Sequence, residues 1–350
     1  MRPLPQDPEK ILIRSTNWIG DAVMTTPAVR TIREHFPDSE ISLLVLPWVS
    51  DVFRHSPRVD RLISYDRQGR HQGVGGTVRL GRELGRERFD CAILLQNAFE
   101  AAFLARVARI PVRAGYTTDG RSLLLSHRVR KRPDIHTRHQ VFYYQEMVAG
   151  LGMSPGANAL ELFIPAEISR QAREKLEQLS GGVFADRPLV GLNPGAAYGP
   201  AKRWPAEKYA ALAARIVTEL DGQVVVFGTA ADNEAARQIQ QAVDHPERVI
   251  DVTAKTDLIE AMAMIELCQA FVTNDSGLMH VAAALKVPLV AIFGSTDHIA
   301  TGPFSQRSSV IRRPLACSPC KQPVCPEQHL QCLRLIGVDE VFAATATFLP

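Results

Sequence analysis

The sequence predicts an α/β protein built from two Rossmann-like domains, each a mostly parallel sheet covered by helices, with the sheets facing across a cleft. Three observations predict it. The chain has 350 residues, more than one core usually organises, so two domains of roughly 150 to 180 residues are the expectation. Its apolar runs are apolar throughout rather than alternating, as in parallel strands buried on both faces. Strand and helix patterns alternate regularly, and the series restarts in the second half.

In the first half, KILIR (10–14) reads as a strand. The polar turn STNWIG follows, then a helix from about Asp21 to His35. ISLLVLP (41–47) and CAILLQ (91–96) read as buried strands. Between them SYDRQGRHQGVGG (64–76) is Gly- and Arg-rich and reads as an exposed loop before a helix over 76–87. Residues 136–149 read as helical, and GLGMSPGAN begins the passage to the second half.

The second half repeats the pattern. PLVGLNPG (188–195) is a strand running into a Gly/Pro turn. Pro205 stands near the start of a helix whose apolar positions Tyr209, Leu212, Ala213, Ile216 and Leu220 follow the 3.6-residue period. QVVVFGT (223–229) is the next strand, and Asp232 opens the helix after it. RVIDVT, the helix DLIEAMAMIELC, the strand AFVTN, the helix LMHVAAAL and the strand PLVAIFG complete the series. The expected boundaries are a first domain over 1–165, a second over 166–335 and a terminal helix over 336–350 that is free to pack back on the first domain. Ligands of such sheets bind outside the carboxyl ends of the strands.

Composition is that of an ordinary globular chain, 46% hydrophobic and 22% charged. No run approaches the roughly 20 apolar residues that cross a bilayer, and MRPLPQDPEK reads as a loose tail rather than a signal peptide. The expected compartment is the cytoplasm and the expected state a monomer. Charge is uneven: residues 1–150 hold 23 Lys and Arg against 16 Asp and Glu, a net of +7, and the remainder nets −4. The first-half cations are nearly all Arg, suited to phosphate and carboxylate. No zinc-finger or RNA-binding signature accompanies them, so nucleic acid is not an expected partner.

Four loops carry candidate chemistry. In RSTNWIGDAVMTTPAV, Gly20 permits a tight turn and Asp21 begins the helix. Asp21 is either a helix cap or a proton acceptor for a sugar hydroxyl; Trp18 either borders a pocket or plugs the core. The dinucleotide fingerprint G-x-G-x-x-G is missing, which disfavours an oxidoreductase or epimerase. In PGAAYGPAKRWP (194–205), loop amides and Lys202 can hold a diphosphate, or Lys202 is a plain surface lysine. In FGTAADNEAA (227–236), Thr229 can donate to a nucleotide, and Asp232 or Glu234 can hold a ribose or simply favour the helix start. In NDSGLMHVAAAL (274–285), Asp275, Ser276 and Gly277 precede a helix whose free amides form an anion receptor. His280 lies one turn inside and is either a ligand contact or a core histidine.

Cys317, Cys320, Cys325 and Cys332 fall in CSPCKQPVCPEQHLQC, four of the chain's six cysteines. Disulfides are disfavoured in the cytoplasm. A structural zinc site, with His329 as an optional ligand, free or redox-active thiols, and an iron–sulfur site are the readings open here. Cys91 and Cys268 sit in apolar contexts and are expected to be buried.

The segments ILIRSTNWIGDAVMTTPAVRTIREHFP, GLNPGAAYGPAKRWP and FVTNDSGLMHVAAALKVPLVAIFGS closely resemble the heptosyltransferases of lipopolysaccharide core synthesis, in the same order and over about residues 10–345. The resemblance implies the GT-B fold, an amino-terminal acceptor domain and a carboxyl-terminal donor domain. It also implies inverting transfer of heptose from ADP-heptose with no metal cofactor. The acceptor it implies is Kdo-lipid A bearing one heptose, at the cytosolic face of the inner membrane with peripheral association there. NPGAAYGPAKRWP favours this second heptose step over the first. The resemblance further implies Asp21 as general base, Lys202 on the donor phosphates, Asp275, Ser276, Gly277 and His280 on ADP, and Asp232 on the adenosine ribose. Related proteins do not all carry the cysteine cluster, so it is not expected to be essential chemistry.

Overall fold

The computed structural model describes residues 4, 7–181 and 187–349. Residues 1–3, 5 and 6 of the expected amino-terminal tail lie outside the described residues. The chain divides into two compact units, Met1–Phe163 and Ile164–Pro350.

The first unit runs β1 (Lys10–Arg14), α1 (Ile19–His35), β2 (Glu40–Val45), β3 (Arg61–Ser64), α2 (Gly73–Glu87), β4 (Cys91–Leu94), α3 (Phe99–Val107), β5 (Val112–Tyr116), β6 (His127–Val129) and α4 (Gln140–Ala149). Its six strands are all parallel, in the order β3-β2-β1-β4-β5-β6. Ile11 pairs with Ile41 on one side and Cys91 on the other. β1, β2 and β4 are buried almost end to end, as the continuous apolar runs require.

The second unit runs α5 (Ala166–Leu179), β7 (Leu189–Asn193), α6 (Ala206–Glu219), β8 (Gln223–Val226), α7 (Asn233–Gln241), β9 (Val249–Asp251), α8 (Leu258–Glu266), β10 (Ala270–Asn274), α9 (Gly277–Ala284), β11 (Leu289–Phe293), α10 (His298–Thr301), β12 (Ser308–Arg312), α11 (Gln331–Arg334) and α12 (Val338–Ala346). The sheet order is β12-β11-β10-β7-β8-β9, again all parallel. Counted from the first strand of each unit, both sheets have the order 3-2-1-4-5-6. Strand order reverses beside that first strand, between β1 and β4 in one unit and between β7 and β10 in the other. Doubly wound sheets bind ligands outside the strand ends at this switch point.

The second core gathers Val190, Leu192, Trp204, Tyr209, Ile216, Val226, Val272 and Ile292 with Val341 and Phe342 of α12. The terminal helix therefore buries its apolar face in the second unit, where the sequence alone left it free to dock on the first half. Trp204 Nε1 donates to Ile336 O at 3.2 Å and Lys208 Nζ to the same carbonyl at 2.6 Å, holding the approach to that helix. α6 buries Tyr209, Leu212, Ala213 and Ile216 as the period predicts, while Leu220 serves as its carboxyl-terminal cap.

Several boundaries move for identifiable reasons. α1 begins at Ile19, so Gly20 is a buried residue of its first turn rather than part of the preceding turn. α2 begins at Gly73 inside the stretch read as loop. A Cβ on Gly76 would lie 2.1 Å from the His71 backbone, so that glycine answers a close approach rather than a break in the helix. α4 begins at Gln140, where His139 Nδ1 accepts from the Val141 amide at 3.2 Å.

Candidate active site

At the switch point of the second sheet, two asparagines tie the strand ends together. Asn193 ends β7, and its side-chain amide donates to Thr273 Oγ1 at 3.0 Å and Ser276 Oγ at 2.7 Å. Asn274 ends β10; its amide donates to Pro194 O at 2.8 Å while its Oδ1 accepts from the Trp204 amide at 3.0 Å. Both side chains are buried, so each hydrogen bond replaces one that water cannot supply. The loop 194–204 is thereby fixed at both ends over the carboxyl edge of β10.

That loop delivers Lys202 to Asp275. Lys202 Nζ lies 2.6 Å from Asp275 Oδ2, with the two side chains 15% and 6% exposed. Thr296 Oγ1, beyond β11, donates to the same carboxylate oxygen at 2.6 Å. The ammonium also sits 4.9 Å from the centre of the Tyr198 ring, a cation–π placement, and the Tyr198 hydroxyl is anchored on Lys321 O at 2.8 Å. Lys202 is thus a held, partly buried cation, not a plain surface lysine.

Ser276 is the amino-terminal cap of α9: its Oγ accepts from the Met279 amide at 3.3 Å. Gly277 is the first helical residue, and His280 is buried one turn in. The first-turn amides and the positive end of the helix dipole stand next to Lys202, the pairing of donors and charge that receives a phosphate.

Thr229 and Asp232 meet at the end of β8. The Thr229 amide and hydroxyl each donate to Asp232 Oδ2 at 2.9 Å, and Arg203 approaches Oδ1 at 3.8 Å. Asp232 is buried and Gly195 packs on it; a Cβ there would come within 2.6 Å of its carboxylate. Asp232 thus joins the β8 turn to the Lys202 loop. Glu234 points elsewhere, exposed and paired with Arg237 and Gln238.

In the first unit, Asp21 is the third residue of α1 and half-buried; Trp18 occupies the capping position with no side-chain bond to the helix amides. Asp21 is close enough to Tyr144 of α4 to act on it: burial pushes that phenol well up, and the negative charge of Asp21 adds to the rise. Trp18 is 59% exposed and so is not a core plug. Below the loop, the buried Arg14 guanidinium donates to Ser15 O and, at 2.8 Å, to Asn17 Oδ1, and covers the Tyr65 ring at 5.3 Å. Burial lowers its pKa to about 10. Arg121, fully buried, donates to Tyr116 O at 2.8 Å, to Gln96 O, and to Asn97 Oδ1 at 2.6 Å, securing the end of β4.

Asn193, Asn274, Thr296, Arg14 and Arg121 escaped the sequence reading. The asparagines fall where turn formers are common, and Thr296 stands 21 residues from its partner Asp275. Only the position of Asn193 and Asn274 as last residues of buried strands signals them.

Cys317, Cys320, Cys325 and Cys332 line one small cavity of about 10 Å³ together with Glu327 and His329. All four are free thiols. Burial pushes the Cys332 thiol up, and its neighbours Cys325, Cys317 and Cys320 add to the rise. Among the described residues, no group of three or more His, Cys, Asp or Glu side chains has an arrangement ready to hold a metal ion. Cys91 and Cys268 are buried. No described helix is long and apolar enough to cross a membrane.

Residues 77–331 match the profile of glycosyltransferase family 9 (heptosyltransferase). The lipopolysaccharide heptosyltransferase 2 of Salmonella typhimurium is 34% identical over 311 residues, 87% of this chain and 88% of that protein. Among solved structures, Escherichia coli ADP-heptose lipopolysaccharide heptosyltransferase II superposes with a TM-score of 0.81 at 30% identity, covering 97% of this chain and 98% of that one. A family 9 glycosyltransferase from Veillonella parvula gives 0.88 at 27% identity, over 99% of both chains.

Proposed function

The chain belongs to glycosyltransferase family 9, the heptosyltransferases, and on that premise we propose that it transfers L-glycero-D-manno-heptose from ADP-heptose to the first heptose of the lipopolysaccharide inner core. The observation that carries the reading is the Lys202–Asp275–Thr296 cluster beside the amino terminus of α9, a receptor for a diphosphate at a switch point. The relatives at about a third identity bear heptosyltransferase 2 names, which favours the second heptose step over the first.

The mechanism is a direct displacement with inversion. Asp21 takes the proton of an acceptor heptose hydroxyl as that oxygen bonds to the anomeric carbon. The bond to the diphosphate breaks, and ADP leaves from the opposite face. Its charge is met by Lys202, which exchanges Asp275 for phosphate oxygen, and by the first-turn amides of α9 around Ser276 and Gly277. Charge stabilisation of this kind at a leaving group commonly supplies the larger part of the acceleration. A carboxylate is a far weaker base than a sugar alkoxide, so positioning of the acceptor carries much of the remainder. His280 backs the phosphate site, and Thr229 with Asp232 shapes the turn that receives the adenosine ribose.

No metal is assigned to the transfer step, so activity is expected to survive excess EDTA. A structural zinc held by Cys317, Cys320, Cys325 and Cys332 is a separate proposal: four thiolates suit zinc chemically, and their shared cavity supports it. We further propose that the acceptor is a Kdo-lipid A carrying one heptose, and that the enzyme acts as a monomer held peripherally on the cytosolic surface of the inner membrane. Incubation with ADP-heptose and a mono-heptosylated, Kdo-bearing lipid acceptor should release ADP and add one heptose. Absence of both products would overturn the assignment; product with a heptose-free acceptor instead would move it to the first step.

A further inference from the structure

Residues 313–330 join β12 to α11 with neither helix nor strand. Irregular connections longer than roughly 12–15 residues are uncommon in compact folds and usually serve a function. This one carries Cys317, Cys320 and Cys325, and Cys332 follows in α11. Sugar transfer as derived above uses none of its side chains.

The connection instead touches the Lys202 cluster from both sides, mostly through its backbone. On the Lys202 side, the Ala201 amide donates to Pro323 O at 3.0 Å and the Tyr198 hydroxyl to Lys321 O at 2.8 Å. Gly199 stands between them at φ 154°, and a Cβ there would lie 2.3 Å from Pro323 O, so only glycine permits the approach. The Lys202 amide in turn donates to Gly199 O at 3.2 Å. On the Thr296 side, the Lys321 amide donates to Ser295 O at 2.7 Å and Ser318 Oγ to Gly294 O at 2.7 Å. Lys321 thus spans the cluster, its carbonyl taking Tyr198 and its amide reaching the residue before Thr296. Its φ of 57° is left-handed, a conformation that a lysine keeps only where its surroundings hold it.

The same connection closes on the cysteine cluster. The four cysteines share their cavity with Ala201 and Ser295, and at about 10 Å³ it has room for one water at most. Ala201 directly precedes Lys202, and Ser295 directly precedes Thr296. The Ser295 hydroxyl is buried with no hydrogen-bond partner among the described residues, so packing rather than a polar bond sets that side chain. Close-packed interiors transmit added volume instead of absorbing it. Bulk placed at the thiols therefore displaces Ala201 and Ser295, and with them the two residues that hold the Asp275 carboxylate.

We propose that the 317–332 segment is the positioning element of the donor site: its packed thiols fix the Lys321–Pro323 backbone, which sets where Lys202 stands, so that bulk at the thiols and ADP binding oppose each other. This role rests on Lys202 as the donor-site cation proposed above, and it requires no metal in the cluster.

Calorimetric titration of the full-length protein with ADP tests it. Tyr198→Phe keeps the ring on Lys202 and deletes the bond to Lys321. ADP affinity should fall by about three- to tenfold, the worth of one hydrogen bond. The organomercurial p-hydroxymercuribenzoate, which attaches to free and metal-held thiolates alike, should weaken ADP binding to the wild type by about tenfold or more through overpacking. Excess dithiothreitol should restore it. The triple variant Cys317→Ser with Cys320→Ser and Cys325→Ser should be indifferent to the reagent, since the remaining thiols are buried. In Lys202→Met, whose ADP affinity is already reduced, the reagent should cause no further loss, a non-additivity that general damage to the fold would not show. Unchanged affinity in Tyr198→Phe or in the labelled wild type overturns the proposal, as does an equal loss on labelling in Lys202→Met and wild type. Wild-type ADP affinity in Lys202→Met sinks the donor-site reading of Lys202 itself, and this role falls with it.

Discussion

Lys202 Nζ and Asp275 Oδ2 stand 2.6 Å apart across the switch point of the second sheet, so the site holds its cation against a buried carboxylate. Thr296 donates to the same oxygen. In the proposed mechanism Lys202 turns to phosphate while Thr296 remains on Asp275 and keeps that carboxylate partnered. Substitution of Lys202 by Met removes the charge proposed to meet ADP and also leaves Asp275 short of its ion partner. Turnover should fall by about 100-fold or more, and stability by up to roughly 3–5 kcal/mol, the range for breaking a buried pair. Adding Asp275→Leu should restore the thermal midpoint without restoring turnover, and steady-state rates with melting curves for the three variants check both effects.

Thr296→Val keeps the shape and removes one hydroxyl donor from a carboxylate. Hydrogen bonds to charged groups are worth about 1.5–3 kcal/mol, so ADP affinity should weaken by about tenfold. Thr296→Ser should recover most of it. Calorimetric titration with ADP decides; equal affinity in the Val variant would remove Thr296 from its positioning role.

Asp21→Asn should lower turnover by at least about 100-fold, as loss of a general base does, while ADP affinity stays within about twofold. Turnover near wild type in that variant would take Asp21 out of the proton transfer.

The βα series, the second-unit loops that carry Lys202 and Asp275, and the buried strands were legible because they rest on local signals: continuous apolar runs, Gly/Pro turns, a 3.6-residue stripe. β3, β5, β6 and β12 were not, since short sheet-edge segments such as RLIS and SSVIR mix polar and apolar residues without a run. Asn193 and Asn274 illustrate the other limit. Each spends its side chain on a partner 70 to 83 residues away, a pairing that no window along the chain contains. Lys202 and Asp275 were legible as candidates, but Thr296, which donates to Asp275, was not, because that contact exists only once β10 and β11 lie side by side.

His298, at the start of α10, lines a cavity of about 340 Å³ with Arg312. Burial lowers its pKa, and the Arg312 charge lowers it further. A depressed folded value means the folded state resists protonation. The stability tied to the neutral ring is whole above the ordinary value near 6.5 and declines as pH falls below it, down through the folded pKa. His298→Gln should therefore flatten part of the loss in thermal midpoint between pH 7 and pH 5. Parallel pH profiles for variant and wild type would refute this.

The cysteines should separate by reactivity. Burial raises the Cys91 thiol to about 12 and Cys268 higher still, so both should resist thiol reagents until the chain unfolds. Cys317, Cys320 and Cys325 are half-exposed and should react in the native protein. Preincubation with zinc under reducing conditions should suppress that reaction if the cluster binds the metal, and elemental analysis should then give one zinc per chain. Full reactivity with no retained zinc would leave the four as ordinary thiols.

The burial of α12 in the second core sets an order on biogenesis. Val341 and Phe342 follow every strand of the second unit, so that unit cannot close its interior until both have left the ribosome. The amino-terminal half, with its own sheet complete, can fold while the chain is still growing. Nascent-chain proteolysis would therefore find protection early in the first unit and later, once Val341 and Phe342 have emerged, in the second; a stop codon placed ahead of Val338 would leave a half-finished interior for quality-control proteases.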